Sequence, residues 1–364
     1  MRRNQWRMAL AACAGLGMSA ASAGAQTLYG VVDLGFVAER GGVNGPLNKI
    51  SSGAGSVTRF GLRGKEDLGG GLSAIYTFES GVKADTGELD NNANMLFQRQ
   101  SFVGLSSTQH GTLTLGRQYT PFYQVFSNVA DPFATSFAGT ARNLFPVSGA
   151  TTRSNNTVKY ASPAWHGVDV EAAYAFGEQA GDSKAGRQMS FAVGYQNGPL
   201  KLRLGYLNRN SDVAPTRTAP GVRHDLGTNT ILAANYDFEV VKLFAGYQVD
   251  HGDNVGTLPN TGNPYGGVPP TPSTDARDLL VGFTMPLWHG TLMASHIHRN
   301  DRTRYDQDAR QNAIGFVYPL SKRSNLYTAY AHISNRNGAG YTVGNNGEVG
   351  SGNRGFNLGI RHTF

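Results

Sequence analysis

His296 and His298 are the two residues whose type and spacing come closest to those of a metal site. Residues two apart in a strand point to the same face, so both imidazoles could contact one ion. A zinc site takes at least three protein ligands, and the neighbouring sequence offers no convincing third one. We therefore interpret the pair as side chains on a surface or in a water-filled interior, and we predict no metal site.

The sequence also contains no motif for the other kinds of enzyme chemistry that we considered. There is no nucleophile elbow, phosphate-cradling loop or metalloprotease helix motif. Glu66 and Asp67 stand in a turn-forming segment, and the glycines at 69–71 belong to the same turn. No run of Lys and Arg of the nucleic-acid-binding kind occurs. We expect no enzyme, no cofactor and no nucleic-acid partner.

Basic residues alternate with apolar ones in several short segments. Arg59 and Arg63 fall opposite Phe60 and Leu62 in the period of two that a strand imposes. If the two apolar side chains face lipid, the two arginines face the opposite side of the strand. The pattern therefore predicts charged side chains directed into an enclosed space.

The same rule places three more basic residues. Arg99 shares a face with Ser101, and Lys159 shares a face with Thr157, each opposite apolar neighbours. Arg117 has the parity of the two leucines that precede it in its segment, so its side depends on where the strand ends.

The elements that position these residues are short strands with period-two alternation. A soluble sandwich could show the same alternation, with its polar face in bulk water. About sixteen such segments of about ten residues are present, enough for tilted strands to span a bilayer. Their approximate centres are Val32, Gly61, Ile75, Phe102, Thr114, Val158, Ala172, Ala192, Leu204, Ala233, Phe244, Val281, Ala294, Gly315, Ala329 and Leu358.

The connections between these segments alternate in length. Short ones hold the Gly, Asn, Asp and Pro that tight turns require. They fall at residues 65–70, 107–110, 196–199, 287–290 and 320–323, whereas long polar connections fall at 40–56, 210–226, 251–276 and 335–353. This alternation is typical of outer-membrane barrels, which have short periplasmic turns and long outer loops. No linker divides the chain, so we expect one domain over residues 26–364.

Residues 1–25 differ from the rest. Arginines at the start are followed by a short apolar run and then by small residues, the order found in secretory signal peptides. The apolar run is shorter than the roughly 20 residues of a membrane helix. Two small-x-small sites, ending at Ala23 and at Ala25, fit the cleavage rule, and we favour the second, which predicts cleavage after residue 25. The single cysteine, Cys13, lies in this segment, and removal of its three arginines lowers the formal charge from +7 to about +4.

After residue 25 no stretch approaches the roughly 18 uninterrupted apolar residues of a membrane helix. A membrane protein without such a helix must be a closed barrel, because lipid cannot satisfy open backbone groups. The chain is also rich in glycine, with 48 of 364 residues. We therefore predict an all-β fold, a 16-stranded antiparallel transmembrane β-barrel, and sixteen strands leave an aqueous channel.

Four segments resemble the proteobacterial general porins. These are TLYGVVD at 27–33, SVTRFGLRGKEDLGGGL at 56–72, LGRQY at 115–119 and the terminal GIRHTF. The second of them is the most specific, and with the strand rhythm the resemblance covers essentially the mature chain. It implies an outer-membrane homotrimer in contact with lipid and lipopolysaccharide, with the outer loop at 85–95 reaching a neighbouring subunit. It also implies a passive channel for small hydrophilic solutes and ions.

The resemblance further implies that the third loop, about 119–153, folds into the barrel and narrows it. The alternative is a surface loop like the others. The segment is more apolar than its neighbours, and a loop packed on the wall would bury its many aromatic residues. Inward folding is therefore the prediction that we carry forward.

The family arrangement places a basic cluster on the wall at Arg63, Arg99 and Lys159, with Arg59 and Arg117 as weaker candidates. The acidic side is thin: the loop carries only Asp131 against Arg142, and the wall adds Glu79. Opposite charges in a narrow pore focus the potential, so we predict a preference for anions. The alternative is that the cations are solvated interior residues in structural ion pairs.

Three other functions remain open at this point. A barrel enzyme such as a phospholipase would need a lipid-facing Ser, His and Asn constellation. A soluble secreted β-protein such as a lectin would extract without detergent. A substrate-selective channel would differ from a general porin only in degree.

Overall fold

The computed structural model describes residues 25–90, 95–147, 149–253 and 274–364. The predicted signal segment, except for its last residue, lies outside the described residues. So do residues 254–273 of the long connection predicted at 251–276, and residues 91–94 of the predicted second outer loop. No helix among the described residues is long and apolar enough to cross a membrane.

The described residues form eighteen strands and four short helical segments. The strands are β1 Ala25–Arg40, β2 Leu47–Ser52, β3 Arg59–Gly69, β4 Leu72–Lys83, β5 Glu88–Leu89, β6 Gln100–Ser107, β7 Gly111–Tyr119, β8 Arg153–Ala161, β9 Val168–Ala175, β10 Gln188–Asn197, β11 Leu200–Arg209, β12 Gly227–Asp237, β13 Lys242–His251, β14 Asp275–Leu287, β15 Gly290–Asp301, β16 Ala309–Pro319, β17 Ser324–Asn335 and β18 Arg354–Thr363. The helical segments are the α-helix α1 Pro121–Val125, a π-helical turn Phe126–Ala130, and 3-10 turns Ala141–Asn143 and Gly149–Thr151.

The first and last strands close the sheet into a barrel. β1 pairs antiparallel with β18, from Val31 opposite Thr363 to Arg40 opposite Arg354. The other neighbours along the sheet are also antiparallel, and most follow chain order. Closure gives β1 and β18 the neighbour that each would lack at the edge of an open sheet.

Sixteen strand positions form the wall. β3 pairs with the first half of β1 and β2 with its second half, so β2 and β3 occupy one wall position interrupted at 53–58. β5 has two residues and pairs only with β4 among the described strands. Every strand centre predicted from the sequence falls inside one of the strands other than β2 and β5, and the predicted fold class is confirmed.

The two faces of the wall differ as the alternation predicts. On β16, Gln311 is fully buried inside, whereas Ile314 on the other face is 52% exposed. The outer face carries exposed apolar side chains around the barrel, including aromatic residues near strand ends. Among these aromatic residues are Tyr160, Tyr195 and Tyr318, whereas Tyr247 lies at the middle of β13. An apolar band with aromatic residues near its borders suits a lipid environment.

Tight turns join strands at one end of the barrel. β3 and β4 meet at Gly69, Gly70 and Gly71, which have φ values of 85°, 60° and 78°. These left-handed values are accessible to glycine at little cost, which explains the glycine triplet there. At the other end the connections are long, and one of them turns into the barrel.

Candidate pore constriction

The described residues of the connection between β7 and β8, 120–147 and 149–152, lie inside the barrel. It begins with α1, where the Thr120 hydroxyl accepts a hydrogen bond from the Tyr123 N–H at 3.1 Å and Pro121 takes the first turn. The Phe122 N–H donates to the Ser190 hydroxyl of β10 at 3.0 Å. This segment is the third long connection of the wall. It folds into the barrel, as predicted for the third loop.

Aromatic packing holds the loop against the wall. Phe126 lies between Phe122 and Phe145, with ring centroids 5.6 and 5.1 Å away in edge-to-face geometry. All three rings are fully buried. A Cβ added to Gly205 of β11 would lie 2.8 Å from a methyl carbon of Val125, so glycine is required for the approach. Burial of each ring stabilises this arrangement by roughly 1.5–3 kcal/mol.

Asp131 organises the interior of the loop. Its carboxylate accepts hydrogen bonds from the N–H groups of Phe133, Thr135 and Ala141 at 2.9–3.0 Å. Burial raises the pKa of Asp131 to about 6, against the opposing effect of these donors. The side chain is only 3% exposed. The structure therefore places this predicted pore carboxylate inside the loop, away from the water-filled space.

Glu79 of β4 bridges two arginines on the wall. Its carboxylate lies 2.7 Å from Arg99 Nε and 3.3 Å from Arg59 Nε. It also accepts a hydrogen bond from the Tyr29 hydroxyl at 3.0 Å. One carboxylate thus holds two guanidinium groups in fixed positions, and it neutralises only one of their two charges.

Tyr119, at the end of β7, connects this group to a third arginine. Its hydroxyl oxygen accepts hydrogen bonds from Arg99 Nη2 at 2.6 Å and from Arg153 Nη2 at 2.7 Å. Its ring also stacks on Tyr123 of α1, with centroids 5.2 Å apart. The neutral phenol thus brings two cations close together without a second carboxylate.

Arg142 comes from the inward loop. Its Nη1 donates to the Asn346 carbonyl, in the connection between β17 and β18, at 2.8 Å. Burial lowers the pKa of Arg142 from its ordinary value. Arginine is nevertheless always charged in proteins, so Arg142 supplies a fourth cation, from the loop side.

These four arginines line a common cavity of about 480 Å³. Arg59, Arg99 and Arg153 come from the wall and Arg142 from the loop, and Asp90 is the one acidic residue among its described lining residues. Burial raises the pKa of Asp90 above its ordinary value, and a single carboxyl cannot balance four guanidinium groups. The cavity is therefore strongly positive.

Two predicted cluster members lie elsewhere in the barrel. Lys159 is 2.8 Å from Glu171, and Glu171 in turn contacts Arg203. Arg63 lies four residues from Arg59 along β3, with its guanidinium 5.1 Å from the ring centroid of Tyr29. Neither belongs to the lining of the cavity.

Arg117 also lies outside this cavity. Its Nε donates to the Gln98 carbonyl and its Nη1 to Asn155 Oδ1, each at 2.5 Å. It faces a smaller cavity of about 360 Å³, which shares Arg153 with the larger one. The structure thus brings together Arg59, Arg99, Glu79 and Arg142 of the predicted set.

Arg153 and Asp90 were missed by sequence reasoning. Arg153 stands where the inward loop rejoins the wall, and the ladder there shifts register beside Arg117 while Asn156 adopts a positive φ of 51°. Period-two parity fails across such a bulge. The available signal was proximity to the loop, because Arg153 is the last residue of the predicted segment.

The last long connection also packs on the inward loop. Asn346 Nδ2 donates to the Thr135 carbonyl at 2.9 Å, and the Gly344 N–H donates to Asn143 Oδ1 at 3.0 Å. Tyr341 and Val343 of this connection are buried. The polar composition of residues 335–353 gave no indication of this contact. The contact holds the inward loop in place from the end of the barrel that bears the long connections.

The two histidines singled out in the sequence lie on the outer face of β15. They alternate with Ile297 and Arg299, which are fully buried inside. His296 Nδ1 lies 2.8 Å from Asn312 Oδ1 on the neighbouring strand. In the described part of the chain no group of three His, Cys, Asp or Glu residues is arranged to hold a metal ion.

A closed barrel with an inward loop and a positively charged cavity agrees with the comparisons to known proteins. A model of the Gram-negative porin family matches residues 9–338. The chain belongs to this family. The porin is 29% identical over 386 residues to outer membrane porin protein 32 of Delftia acidovorans, with 100% of both chains covered. It is 29% identical over 370 residues to an outer membrane porin protein of Bordetella pertussis, covering 90% of this chain and 94% of the relative.

Solved structures agree. The anion-selective porin from Comamonas acidovorans matches this porin with a TM-score of 0.74 at 28% identity, over 94% of this chain and 100% of that one. OmpF of Salmonella typhi matches with a TM-score of 0.68 at 17% identity, over 93% of this chain and 97% of that one, and shares the fold. The protein is an outer-membrane porin, as the sequence predicted, and the porin family and fold are those of channels.

Proposed function

We propose that this porin passes small anions in preference to cations through the cavity lined by Arg59, Arg99, Arg142 and Arg153. The observation that carries the proposal is the charge of that cavity, with four guanidinium groups against Asp90 and the offset carboxylate of Glu79. Charge of one sign in a narrow passage with low-dielectric walls raises the local concentration of the opposite ion. Similarity to the anion-selective porin from Comamonas acidovorans supports the same preference.

The arginines act as fixed positive charges. Arg59 and Arg99 are held by Glu79, and Arg99 and Arg153 by the Tyr119 hydroxyl, so their guanidinium groups need not reorganise when an anion arrives. An anion can exchange part of its water shell for N–H donors in the cavity. Passage also requires weak binding, and several adjacent donor groups allow an ion to move from one to the next.

Roles for the other predicted residues follow from their places. Lys159 is neutralised locally by Glu171, so its effect on selectivity is expected to be small. Arg63 and Arg117 contribute to the long-range field without touching ions in the constriction. Asp131 shapes the loop through backbone hydrogen bonds and takes no part in ion contact.

Further parts of the proposal concern the mature protein. Residues 1–25 are removed as a signal peptide, residues 26–364 form the barrel, and the segment of about 119–153 sets the width of the pore. The assembled form is a homotrimer in outer-membrane lipid and lipopolysaccharide, and small hydrophilic solutes diffuse through each subunit. A trimer form is described for OmpT of Vibrio cholerae, which shares the fold.

The reversal potential of the purified porin in a planar bilayer with a KCl gradient tests the anion preference. We expect the sign that corresponds to chloride permeation, and a shift toward cation permeation in R99Q/R153Q. A cation-selective wild-type channel would overturn the proposal. Liposome swelling with sugars and organic acids then separates a general porin from a channel for one class of organic anion.

A further inference from the structure

A group of four charged side chains lies on the inner wall beside the inward loop. Its members are Lys159 of β8, Asp169 and Glu171 of β9, and Arg203 of β11. Glu171 is central, since its carboxylate lies 2.8 Å from Lys159 Nζ and 2.5 Å from Arg203 Nη2. Asp169 lies 2.8 Å from the same Arg203 nitrogen. We call these four residues the turn-side cluster.

Small residues on β10 allow the turn-side cluster to form. Asp169 pairs with Gly194, and Gly194 pairs with Arg203, so one row crosses three strands. A Cβ added to Gly194 would overlap Asp169 Oδ1, so the carboxylate crosses β10 only because glycine stands there. Ala192 takes the equivalent place opposite Glu171. Carboxylates of β9 can therefore reach a cation of β11, two strands away.

Strand register places the cluster on the side of the constriction that faces the tight turns. The start of α1 is fixed at Ser190, whose hydroxyl accepts from the Phe122 N–H, and Ser190 pairs with Ala173. Glu171 and Ala192 pair with each other two residues nearer the tight turns. An ion that has passed α1 toward that end of the barrel therefore meets the turn-side cluster next.

Glu171 also contacts the inward loop. With its amide oriented so that the nitrogen faces the carboxylate, Gln124 of α1 donates to both oxygens of Glu171, at 2.8 and 3.0 Å. Gln124 lines the cavity of about 480 Å³ that holds the four arginines. Glu171 thus connects the turn-side cluster with the helix that borders the constriction.

The two cations of the cluster depend on Glu171 to different degrees. Among the described residues, Glu171 is the one carboxylate within 4.0 Å of Lys159, whereas Arg203 also has Asp169. Loss of Lys159 would leave Glu171 paired with Arg203, but loss of Glu171 would leave Lys159 unpaired. The side chains of Lys159 and Glu171 are only 11% exposed, so salt screens their charges less than those of surface residues.

We propose that Glu171 limits how tightly the pore holds anions, because it cancels the charge of Lys159 next to the constriction. The inference rests on the anion preference proposed above. Conduction requires that each ion be bound weakly enough to leave. An unpaired lysine just beyond the four arginines would retain an anion at the exit of the constriction. Glu171 therefore determines specificity through Lys159, and it positions α1 through Gln124.

The full, folded porin in planar bilayers tests this role. E171Q removes the charge and keeps an oxygen that can accept from Gln124. We expect its chloride-to-potassium permeability ratio to rise about twofold or more. The sulfate concentration that halves the chloride current should fall about tenfold, the effect of one new charge-assisted contact. K159Q/E171Q should return both values to those of the wild type, and persistence of both changes in this double variant would overturn the proposal.

Two further variants separate the released lysine from net charge and from loop position. D169N is the matched control, because it also removes one carboxylate of the cluster but leaves Lys159 paired. It should change both values less than E171Q does, and equal changes would assign the effect to net charge and overturn the proposal. Q124L removes the contact with α1 and no charge. It should alter single-channel conductance at an unchanged permeability ratio, and a ratio shifted as far as in E171Q would also overturn the proposal.

K159Q alone keeps the test decisive should E171Q fail to fold. Glu171 stays paired with Arg203 in this variant, and sulfate should block it as it blocks the wild type. Weaker block would show that Lys159 already holds anions, contrary to the proposal. A cation-selective wild-type channel would refute the anion preference itself. Equal ratios in E171Q and K159Q/E171Q, in a channel that prefers anions, would refute only the role of Glu171.

Discussion

Arg153 lies against the aromatic ring of Tyr119, with its guanidinium carbon 4.4 Å from the ring centroid, and it also donates to the hydroxyl of that tyrosine. Contact with the ring covers one face of the guanidinium with an apolar surface. The cation is therefore fixed at the end of β7 without a carboxylate. This contact explains how the pore keeps a buried positive charge that an ordinary ion pair would have cancelled.

Substitution of Glu79 by Gln should make the channel more anion-selective and less stable. The change removes a negative charge between Arg59 and Arg99 and leaves the two cations without their shared partner. Loss of one member of a buried pair costs about 3–5 kcal/mol, reduced here by water in the pore. The reversal potential and the temperature at which the barrel unfolds in detergent measure the two effects. A shift toward cation permeation would contradict the assigned role of Glu79.

Two double variants distinguish the cavity arginines from the other predicted cations. R99Q/R153Q should shift the reversal potential strongly toward cations, because both residues line the cavity of about 480 Å³. R63Q/K159Q should shift it little, because Lys159 is paired with Glu171 and Arg63 lies beside Tyr29. Both variants lose two positive charges, so equal shifts would show that net charge rather than position decides selectivity.

Protonation of Asp131 should stabilise the inward loop. Burial raises the pKa of Asp131 to about 6, above the value of roughly 3.9 for an exposed aspartate. The folded loop thus binds the proton more tightly than the unfolded chain does. The resulting stability is fully present below about pH 4 and is lost as the pH rises through about 6.

Hydrogen exchange of the loop amides measures this effect. After correction for intrinsic rates, protection at residues 133–141 should be greater at about pH 4.5 than at about pH 7.5. In D131N the pH dependence should disappear, whereas overall protection should fall because an amide cannot accept all three N–H donors. Persistence of the same pH dependence in D131N would assign it to another group.

Substitution of Gly205 by Val should displace α1 from the wall. The added Cβ would lie 2.8 Å from a methyl carbon of Val125, so the loop would have to move into the pore. Overpacking of this kind costs about 1–3 kcal/mol. Single-channel conductance should fall while ion preference is retained, and A192G, which adds no atoms at another wall position, provides the control. A conductance equal to that of the wild type would show that the loop is not held at this contact.

The wall could be predicted because its alternation is local. Ile314 and Gln311, for example, already differ in character in the sequence, and their faces in the barrel follow from it. The interior could not be predicted to the same extent. Arg142 contacts Asn346, which is 204 residues away, and no local pattern reports a contact across the barrel. Asp131 shows the same limit, because three backbone donors rather than its charge decide where it points.

The predicted directions of side chains were also wrong or undecided where the inward loop joins the wall. The shift of register near Arg117 and the positive φ of Asn156 break the period of two, so the side taken by Arg153 could not be counted from its neighbours. The resemblance to the porin family led us to expect Lys159 among the pore cations. In the structure Lys159 instead forms an ion pair with Glu171.

The pairing of β1 with β18 sets a condition on biogenesis. A ribosome delivers residue 31 more than three hundred residues before residue 363, its partner in the finished ladder. For that whole interval the second half of β1 lacks one of its two neighbours, and an exposed ladder of this kind can recruit a strand from another molecule. The strand made first can therefore complete its pairing only after the strand made last. The nascent β1 must be kept from pairing with other molecules until β18 has been made.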